Sequence, residues 1–168
     1  MRKLRKLKRG QFKDFLFVIQ ARLNSKRLPN KILLPFKGQS IIEFLYNKIK
    51  KEFNKSKIII AIPETKKNFY LRKYLQITNL KYITGSETDL VLRYKKACEN
   101  INSKYIVRLT SDNPFINIQL IKYCLKSHVN SKKKFSSTRK IFKKKIFRYC
   151  LKGHSVDIIN KKDLMNIN

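Results

Sequence analysis

Apolar residues in this chain alternate between two patterns: short solid runs, and longer stretches where they recur every third or fourth position. The solid runs are Phe15 to Ile19, Lys57-Ile-Ile-Ile-Ala-Ile62, Tyr82-Ile83, Tyr105-Ile-Val-Arg-Leu109 and Val156 to Ile159. Continuous runs of this length, rich in β-branched and aromatic residues, read as strands, and the first two as strands buried on both faces. The periodic stretches read as helices. Ser40-Ile-Ile-Glu43 is a capping box opening a helix with Ile41, Phe44, Leu45 and Ile49 inward. Residues 66–76 are amphipathic. Thr88 or Asp89 caps a helix that buries Leu90, Val91, Tyr94, Ala97 and Ile101, and Asn117 caps one with Ile118, Ile121, Cys124 and Leu125 inward. A last helix starts at Lys161. Residues 131–148, with nine Lys/Arg and no acid, are the least regular part.

Strands separated by helices over most of the chain predict an α/β fold: three layers, with helices on both faces of a mostly parallel sheet. Ligands of such sheets bind at the carboxyl ends of the strands. That rule groups the exits at 20–31, 85–89 and 110–114 into one cleft.

Length and charge refine this picture. The 168 residues, 42% hydrophobic and 11% aromatic, suffice for one domain with a proper core. We place it at 14–168, behind a basic tail at 1–13 whose adjoining apolar run is too short for a signal peptide. No run approaches a membrane span. Lys and Arg number 41 against 10 acids, a net charge of +31. Such a balance suggests polyanionic or phosphorylated partners. Abundant Lys, Ile and Asn with no Trp also fit compositional drift. Cys98, Cys124 and Cys150 form no CxxC pair, and His128 and His154 lie far apart. This pattern predicts free thiols in a reducing cytoplasm, without zinc or a disulfide framework.

The first strand ends in a loop carrying Arg22, Lys26, Arg27 and Lys31 around Ser25, with no acid among them. With only four glycines, the chain has neither GxxxxGK[ST] nor GxGxxG, and it lacks a nucleophile elbow. What remains is a cationic loop opposite Asp112, at the end of a central strand. Cations for phosphates facing a carboxylate for a divalent metal are the working parts of phosphoryl or nucleotidyl transfer.

Val18-Ile-Gln-Ala-Arg-Leu-Asn-Ser-Lys-Arg-Leu-Pro-Asn-Lys-Ile-Leu-Leu34 resembles the "ARxxSxRLPxK" signature of the sugar cytidylyltransferases. The nearest branch is the spore-coat-polysaccharide and acylneuraminate group, related to the 3-deoxy-manno-octulosonate enzymes. Gly85 to Tyr94 is similar to "GSEDDVLDRY", Ile106 to Pro114 to "IVRxTGDxP", and Gly153 to Leu164 to "GxxVEVFSFxxL". The resemblance spans about residues 15–165. It implies a Rossmann-like, nucleotide-diphospho-sugar transferase fold. It also implies an enzyme that activates a sugar acid or sugar phosphate with CTP for surface polysaccharide, releasing pyrophosphate.

On that likeness Arg22, Arg27 and Lys31 are the catalytic cations on the triphosphate. Gln20, Ala21, Ser25, Gly85, Ser86, Asp89 and Arg108 join them around the nucleotide. Asp112 and Asp157 hold Mg²⁺. Arg108 either contacts the nucleotide or pairs with a carboxylate. Asp89 is a ligand contact or a helix N-cap, and Asp157 a metal ligand or a surface strand residue. Asn24, Asn30 and Ser111 replace glycines of the family pattern, and Asn tolerates positive φ. The chain ends soon after the motif around Asp157, so truncation at the C-terminus is expected, with loss of part of the acceptor pocket and of a homodimer contact. Two other readings stand beside the enzyme: an inactive CTP-binding fragment, and a basic RNA- or polyanion-binding protein. Nucleic acid is not the expected partner, because no aromatic-rich recognition motif is present.

Overall fold

The computed structural model describes residues 9–25, 27–142, 145–151 and 153–167. Most of the basic tail, Lys26, and Lys143 and Lys144 of the basic stretch lie outside the described residues. The strands are β1 (Phe15–Gln20), β2 (Pro35–Phe36), β3 (Gln39–Ser40), β4 (Lys57–Pro63), β5 (Tyr82–Gly85), β6 (Tyr105–Thr110), β7 (Phe135–Ser137), β8 (Arg139–Phe142), β9 (Lys145–Arg148) and β10 (Asp157–Asn160). The helices are α1 (Ile41–Glu52), α2 (Phe69–Ile77), α3 (Leu90–Cys98), α4 (Ile118–Ser131) and α5 (Lys161–Met165). Six strands form the main sheet in the order β5-β4-β1-β6-β10-β7. The first four are parallel; β10 runs antiparallel to β6 and to β7. β2–β3 and β8–β9 are separate two-stranded ribbons.

The solid apolar runs become the centre of the sheet because they have a face for each layer. Phe15, Phe17 and Ile19 of β1 join Ile42, Leu45 and Ile49 of α1, Leu71 and Leu75 of α2, and Ile121 and Leu125 of α4 on one side. Leu16 and Val18 face Tyr94, Ala97 and Cys98 of α3 and Leu164 of α5 on the other. Each fully buried side chain of this size adds about 1.5–3 kcal/mol. The helix starts coincide with their polar caps: Ser40 Oγ accepts from Glu43 N (3.2 Å), Asp89 Oδ1 from Leu92 N (2.8 Å) and Asn117 Oδ1 from Leu120 N (3.0 Å).

Two boundaries differ from the sequence reading. The ordered body starts before residue 14: Arg9–Asp14 form a 3-10 turn whose Phe12 packs edge-on against Phe53. The irregular 131–148 stretch forms β7, β8 and β9 after α4 ends. Its lysines obscured the alternation, and β8 and β9 pair with each other outside the main sheet.

His128, 1% exposed on α4, ties this late part to the sheet. Asp163 Oδ2 accepts from Asn160 Nδ2 (2.6 Å), so Asn160 Oδ1 faces His128 Nε2 (3.1 Å). Nε2 therefore carries the proton, and Nδ1 accepts from the Ser136 hydroxyl (2.8 Å). Burial, first, pushes the imidazole below its ordinary pKa, opposed by the Asn160 bond. A group whose folded pKa is depressed binds fewer protons folded than unfolded, so stability falls as pH drops below about 6.5. We predict that the urea midpoint declines from pH 7 to pH 5 and that His128→Leu flattens this slope while costing about 1–3 kcal/mol at pH 7. An unchanged slope in the variant would assign the titration to another group.

Candidate functional site

β1 ends at Gln20, and the loop after it is pinned from below rather than left on the surface. Ala21 N donates to Ala61 O (3.1 Å), and Ala21, Leu23 and Ile32 are buried in the core. Leu23 N donates to Asn68 Oδ1 (3.1 Å), while Asn68, 1% exposed, donates to Pro63 O and Thr65 Oγ1. Asn30 supplies the required turn with φ 54°, one of the conformations in which Asn replaces Gly at small cost. Arg22, Arg27 and Lys31 are thus carried by a backbone tied to the core.

They face the exit of β6. Lys31 Nζ lies 2.6 Å from Asp112 Oδ2, across 81 residues of sequence. Burial raises the Asp112 pKa, but the Lys31 hydrogen bond and charge, with a bond from Thr110, outweigh it and leave the carboxyl below its ordinary value. A cavity of about 430 Å³ opens here, walled by Gln20, Arg22, Ser25, Arg27, Lys31, Arg108 and Asp112 among others. A second, of about 410 Å³, adjoins it and shares Arg27, Arg108, Thr110 and Asp112. Its outer wall is formed by Asn113, Arg139, Arg148, Gly153 and Ser155. Asn113 Nδ2 donates to Gly153 O (2.9 Å), joining the β6 exit to the segment that enters β10. Gly153 holds φ +91°, a conformation that residues with a side chain rarely adopt, and it packs beside the Asn113 side chain.

Arg108 links the two cavities. Its Nε and Nη2 donate to Gln20 Oε1 (3.1 and 2.9 Å), its Nε also approaches the Tyr94 hydroxyl (3.1 Å), and its Nη1 reaches Asp157 Oδ2 at 2.6 Å. Tyr94 OH also bonds Gln20 Oε1 (3.2 Å), and burial pushes its pKa up to about 12. Of the two roles left open for Arg108, the structure shows the carboxylate pairing, with the guanidinium still lining both cavities.

Asp157 is 5% exposed, so it is not a surface strand residue. Its Oδ2 takes Arg108 and Arg139 (2.6 Å each), and its Oδ1 takes Ser137 Oγ (2.5 Å). The two metal candidates are therefore unlike. Asp112 is a half-exposed carboxylate at the cavity mouth with one cation to release. Asp157 is an anchor for two guanidiniums. No group of three His, Cys, Asp or Glu is placed to hold a metal among the described residues. Mg²⁺ takes one or two carboxylates and completes its shell with phosphates and water, so Asp112 alone suits it. Ser111, in place of a family glycine, is buried in the wall, with its N–H on Gln20 O (3.1 Å).

Gly85, Ser86 and Asp89 stand apart, because β5 is two strands away from β1. None of them lines either cavity. Ser86 Oγ accepts from Asp89 N (2.9 Å), and Asp89 caps α3. Arg93, 3% exposed, lies over Gly85 so closely that a Cβ there would meet its Cγ at 3.0 Å. It donates to Ser86 O (2.8 Å) and Glu87 O (3.1 Å). Burial above all, and the nearby Arg22 charge, lower its pKa against the opposing influence of Tyr94 and Glu87. Sequence reasoning missed Arg93, Arg139, Arg148, Asn113 and Ser155. Arg93 was legible as a cation beside a glycine turn. Arg139 and Arg148 were hidden among lysines.

The family model described as "Cytidylyltransferase" matches residues 16–158. The chain is 29% identical over 119 residues to the spore coat polysaccharide biosynthesis protein SpsF of Bacillus subtilis, covering 68% of this chain and 50% of that protein. It is 31% identical over 114 residues to a 3-deoxy-manno-octulosonate cytidylyltransferase of Elusimicrobium minutum, covering 67% and 45%. The chain thus spans about half the length of the curated relatives it matches. The solved cytidylyltransferase of Leptospira borgpetersenii superposes with a TM-score of 0.74 at 25% identity, over 90% of this chain and 62% of that one. A CMP:2-keto-3-deoxy-manno-octonic acid synthetase complexed with CTP shares the fold, with a TM-score of 0.69 at 14% identity over 90% and 76%. By its sequence match and by its three-layer sheet, this chain belongs to the cytidylyltransferase family.

Proposed function

We propose that this protein transfers a cytidylyl group from CTP to a sugar acid or sugar phosphate, releasing pyrophosphate, and so supplies an activated sugar for surface polysaccharide. The observation that carries this reading is the Lys31–Asp112 pair, in which Lys31 lines one cavity and Asp112 stands in the wall that this cavity shares with its neighbour. One cavity has the cations for a triphosphate, and the other has room for an acceptor beside its reacting end. The name of the spore-coat relative supports the polysaccharide role, and the CTP complex of a protein with the same fold supports the nucleotide.

In this reading Arg22, Arg27 and Lys31 hold the triphosphate and meet the charge that builds on the departing pyrophosphate. Ser25 adds a donor from the same loop. An acceptor oxygen attacks the α-phosphorus in line, its new O–P bond forming as the bond to the β-phosphate oxygen breaks. Mg²⁺, held by Asp112 with phosphate oxygens, would add a further positive charge at the phosphates. Lys31 has to leave Asp112 for the phosphates, so the ion pair in the free protein marks the position where the triphosphate and its counter-cation sit. Arg108, clamped by Gln20, Tyr94 and Asp157, keeps a fixed positive charge between donor and acceptor.

Thermal unfolding with CTP, UTP, ATP and GTP in the presence of Mg²⁺ tests the reading. CTP should raise the midpoint most, and the selectivity should survive about 200 mM salt, where surface attraction is largely screened. Small equal shifts that vanish in salt would instead indicate unspecific attraction to a chain of this charge. Lys31→Ala and Asp112→Ala should each lower pyrophosphate release by about 10²–10³-fold while the protein stays folded. Their pair is partly exposed and contributes little to stability. Near wild-type rates would remove the residue from the mechanism. In the free protein, the Asp112 carboxyl should titrate below the ordinary carboxylate pKa of about 3.9. The pair's small stabilisation is present above that value and lost as pH falls through the depressed pKa. Lys31→Ala should move the Asp112 titration upward in a carboxyl-carbon NMR measurement.

A further inference from the structure

Phe44 and Lys48 stand one turn apart on α1, so their side chains share a face of that helix. Neither lines the two cavities. Their face carries the two segments that lead away from the Lys31–Asp112 pair. Phe36, in the hairpin that follows Lys31, meets the Phe44 ring edge-on at 4.9 Å. The same Phe36 ring meets Phe115, just past Asp112, edge-on at 5.4 Å. Lys48 Nζ donates to the main-chain carbonyls of Pro114 (3.1 Å) and Ile116 (3.0 Å).

A lysine carries its donors on a long stem and ordinarily keeps them in water. Lys48 is half-buried. Burial above all lowers its pKa, against the Glu52 charge, with Lys37 adding to the fall. The ammonium group is thus drawn out of water to hold a turn. On the other side of that turn, Ser111 N donates to Gln20 O (3.1 Å), and Asn113 Oδ1 accepts from Phe115 N (3.0 Å) within it. Asp112 therefore lies between a main-chain tie to β1 and a side-chain tie to α1. In the free protein Lys31 adds a hold on the carboxylate itself. In the reaction proposed above, that hold is released just when Asp112 has to receive a divalent cation, and the two ties of the turn remain.

On the transferase reading above, we infer that Lys48 is a positioning residue that, through the carbonyls of Pro114 and Ile116, keeps Asp112 in place when Lys31 leaves it. The Phe36–Phe115 contact holds the same turn from the side of the Lys31 segment. Lys48 lies outside both cavities, so it acts only through the turn. Removing such outer support weakens a carboxylate's grip on a metal while the cations of the β1 loop stay where they are.

A carbodiimide, which condenses a carboxylate with an amine held in an ion pair, reads the placement of Asp112 in the free protein. Mass spectrometry of the wild type should show an amide between Lys31 and Asp112, with one between Lys104 and Asp14 (3.2 Å) as internal reference. Lys48→Met should lose most of the first product and keep the second. Lys48→Arg, which still has donors for the carbonyls, and the exposed Lys51→Met should keep both. Phe115→Ala removes a ring that is 64% exposed; it should lose part of the first product and replaces Lys48→Met if that variant does not fold. Thermal unfolding with CTP gives the second readout. Lys48→Met should raise the Mg²⁺ concentration that half-saturates the CTP-dependent shift about tenfold. CTP in EDTA should half-saturate it as it does the wild type, and Lys48→Arg should regain the wild-type Mg²⁺ requirement. A merely structural role would lower the midpoint with and without ligand and move neither half-saturation. Positioning by Lys48 is overturned by the absence of a Lys31–Asp112 product in the wild type, by a wild-type yield in Lys48→Met or its replacement, by an unchanged Mg²⁺ requirement, or by Lys48→Arg behaving like Lys48→Met. Without a CTP shift in the wild type the transferase reading falls, while the cross-link yields still judge Lys48.

Discussion

A guanidinium planted on a central strand has to be met on every side, and much of the polar architecture of this protein comes from meeting Arg108. Its Cα neighbours in the sheet are Val18 and Asp157, so it stands between an apolar strand and the one carboxylate in reach along β10. An unpaired charge at that depth is strongly destabilising. Gln20, Tyr94 and Asp157 together supply its acceptors. Those three residues come from the end of β1, from α3 and from β10, so satisfying one side chain draws three distant elements to a single edge of the sheet. The apolar layer of Leu16, Val18 and Tyr94 stops where this polar layer begins, and the cavities open above it.

The fold was legible because its strongest signals are the ones that burial imposes. Runs such as Phe15 to Ile19 and Ile58 to Ile62 have no polar face and must lie between two layers, and Ser40, Asp89 and Asn117 mark the helix starts with side chains that accept from the third amide onward. The half of the site built on these elements was legible too. Arg22, Arg27, Lys31 and Asp112 meet because β1 and β6 are adjacent and parallel. The strand-end rule grouped the 85–89 turn with them, but strand order was not readable from sequence. β5 falls on the far side of β4, and Gly85 answers to the close approach of Arg93.

The outer wall of the second cavity was not legible, for a different physical reason. β8 and β9 belong to a ribbon outside the main sheet, and β9 is exposed along its length, so burial imposes no apolar period on it. Arginines that matter by position are then indistinguishable from lysines that are merely solvated. Asp157 illustrates the same limit at one residue. Its place at the head of a strand was clear, but whether a carboxylate there faces a metal or a guanidinium depends on Arg139, eighteen positions away and on another ribbon.

The antiparallel entry of β10 has a consequence for how such a site is assembled. A parallel strand brings to the working edge only the segment C-terminal to it, so each contribution requires a full return crossing through a helix. Because β10 runs the other way, it brings to that edge the segment N-terminal to it, and the residues from Gly153 to Val156 arrive there directly from the β8–β9 ribbon. Reversing one strand thus lets the residues of one cavity lie downstream of their strands, β1 and β6, while part of the wall of the other lies upstream of β10. The two sides are separate stretches of chain that meet at Asp112, Asn113 and Arg108, so the ribbon and the cationic loop after β1 reach one edge without either being threaded through the other.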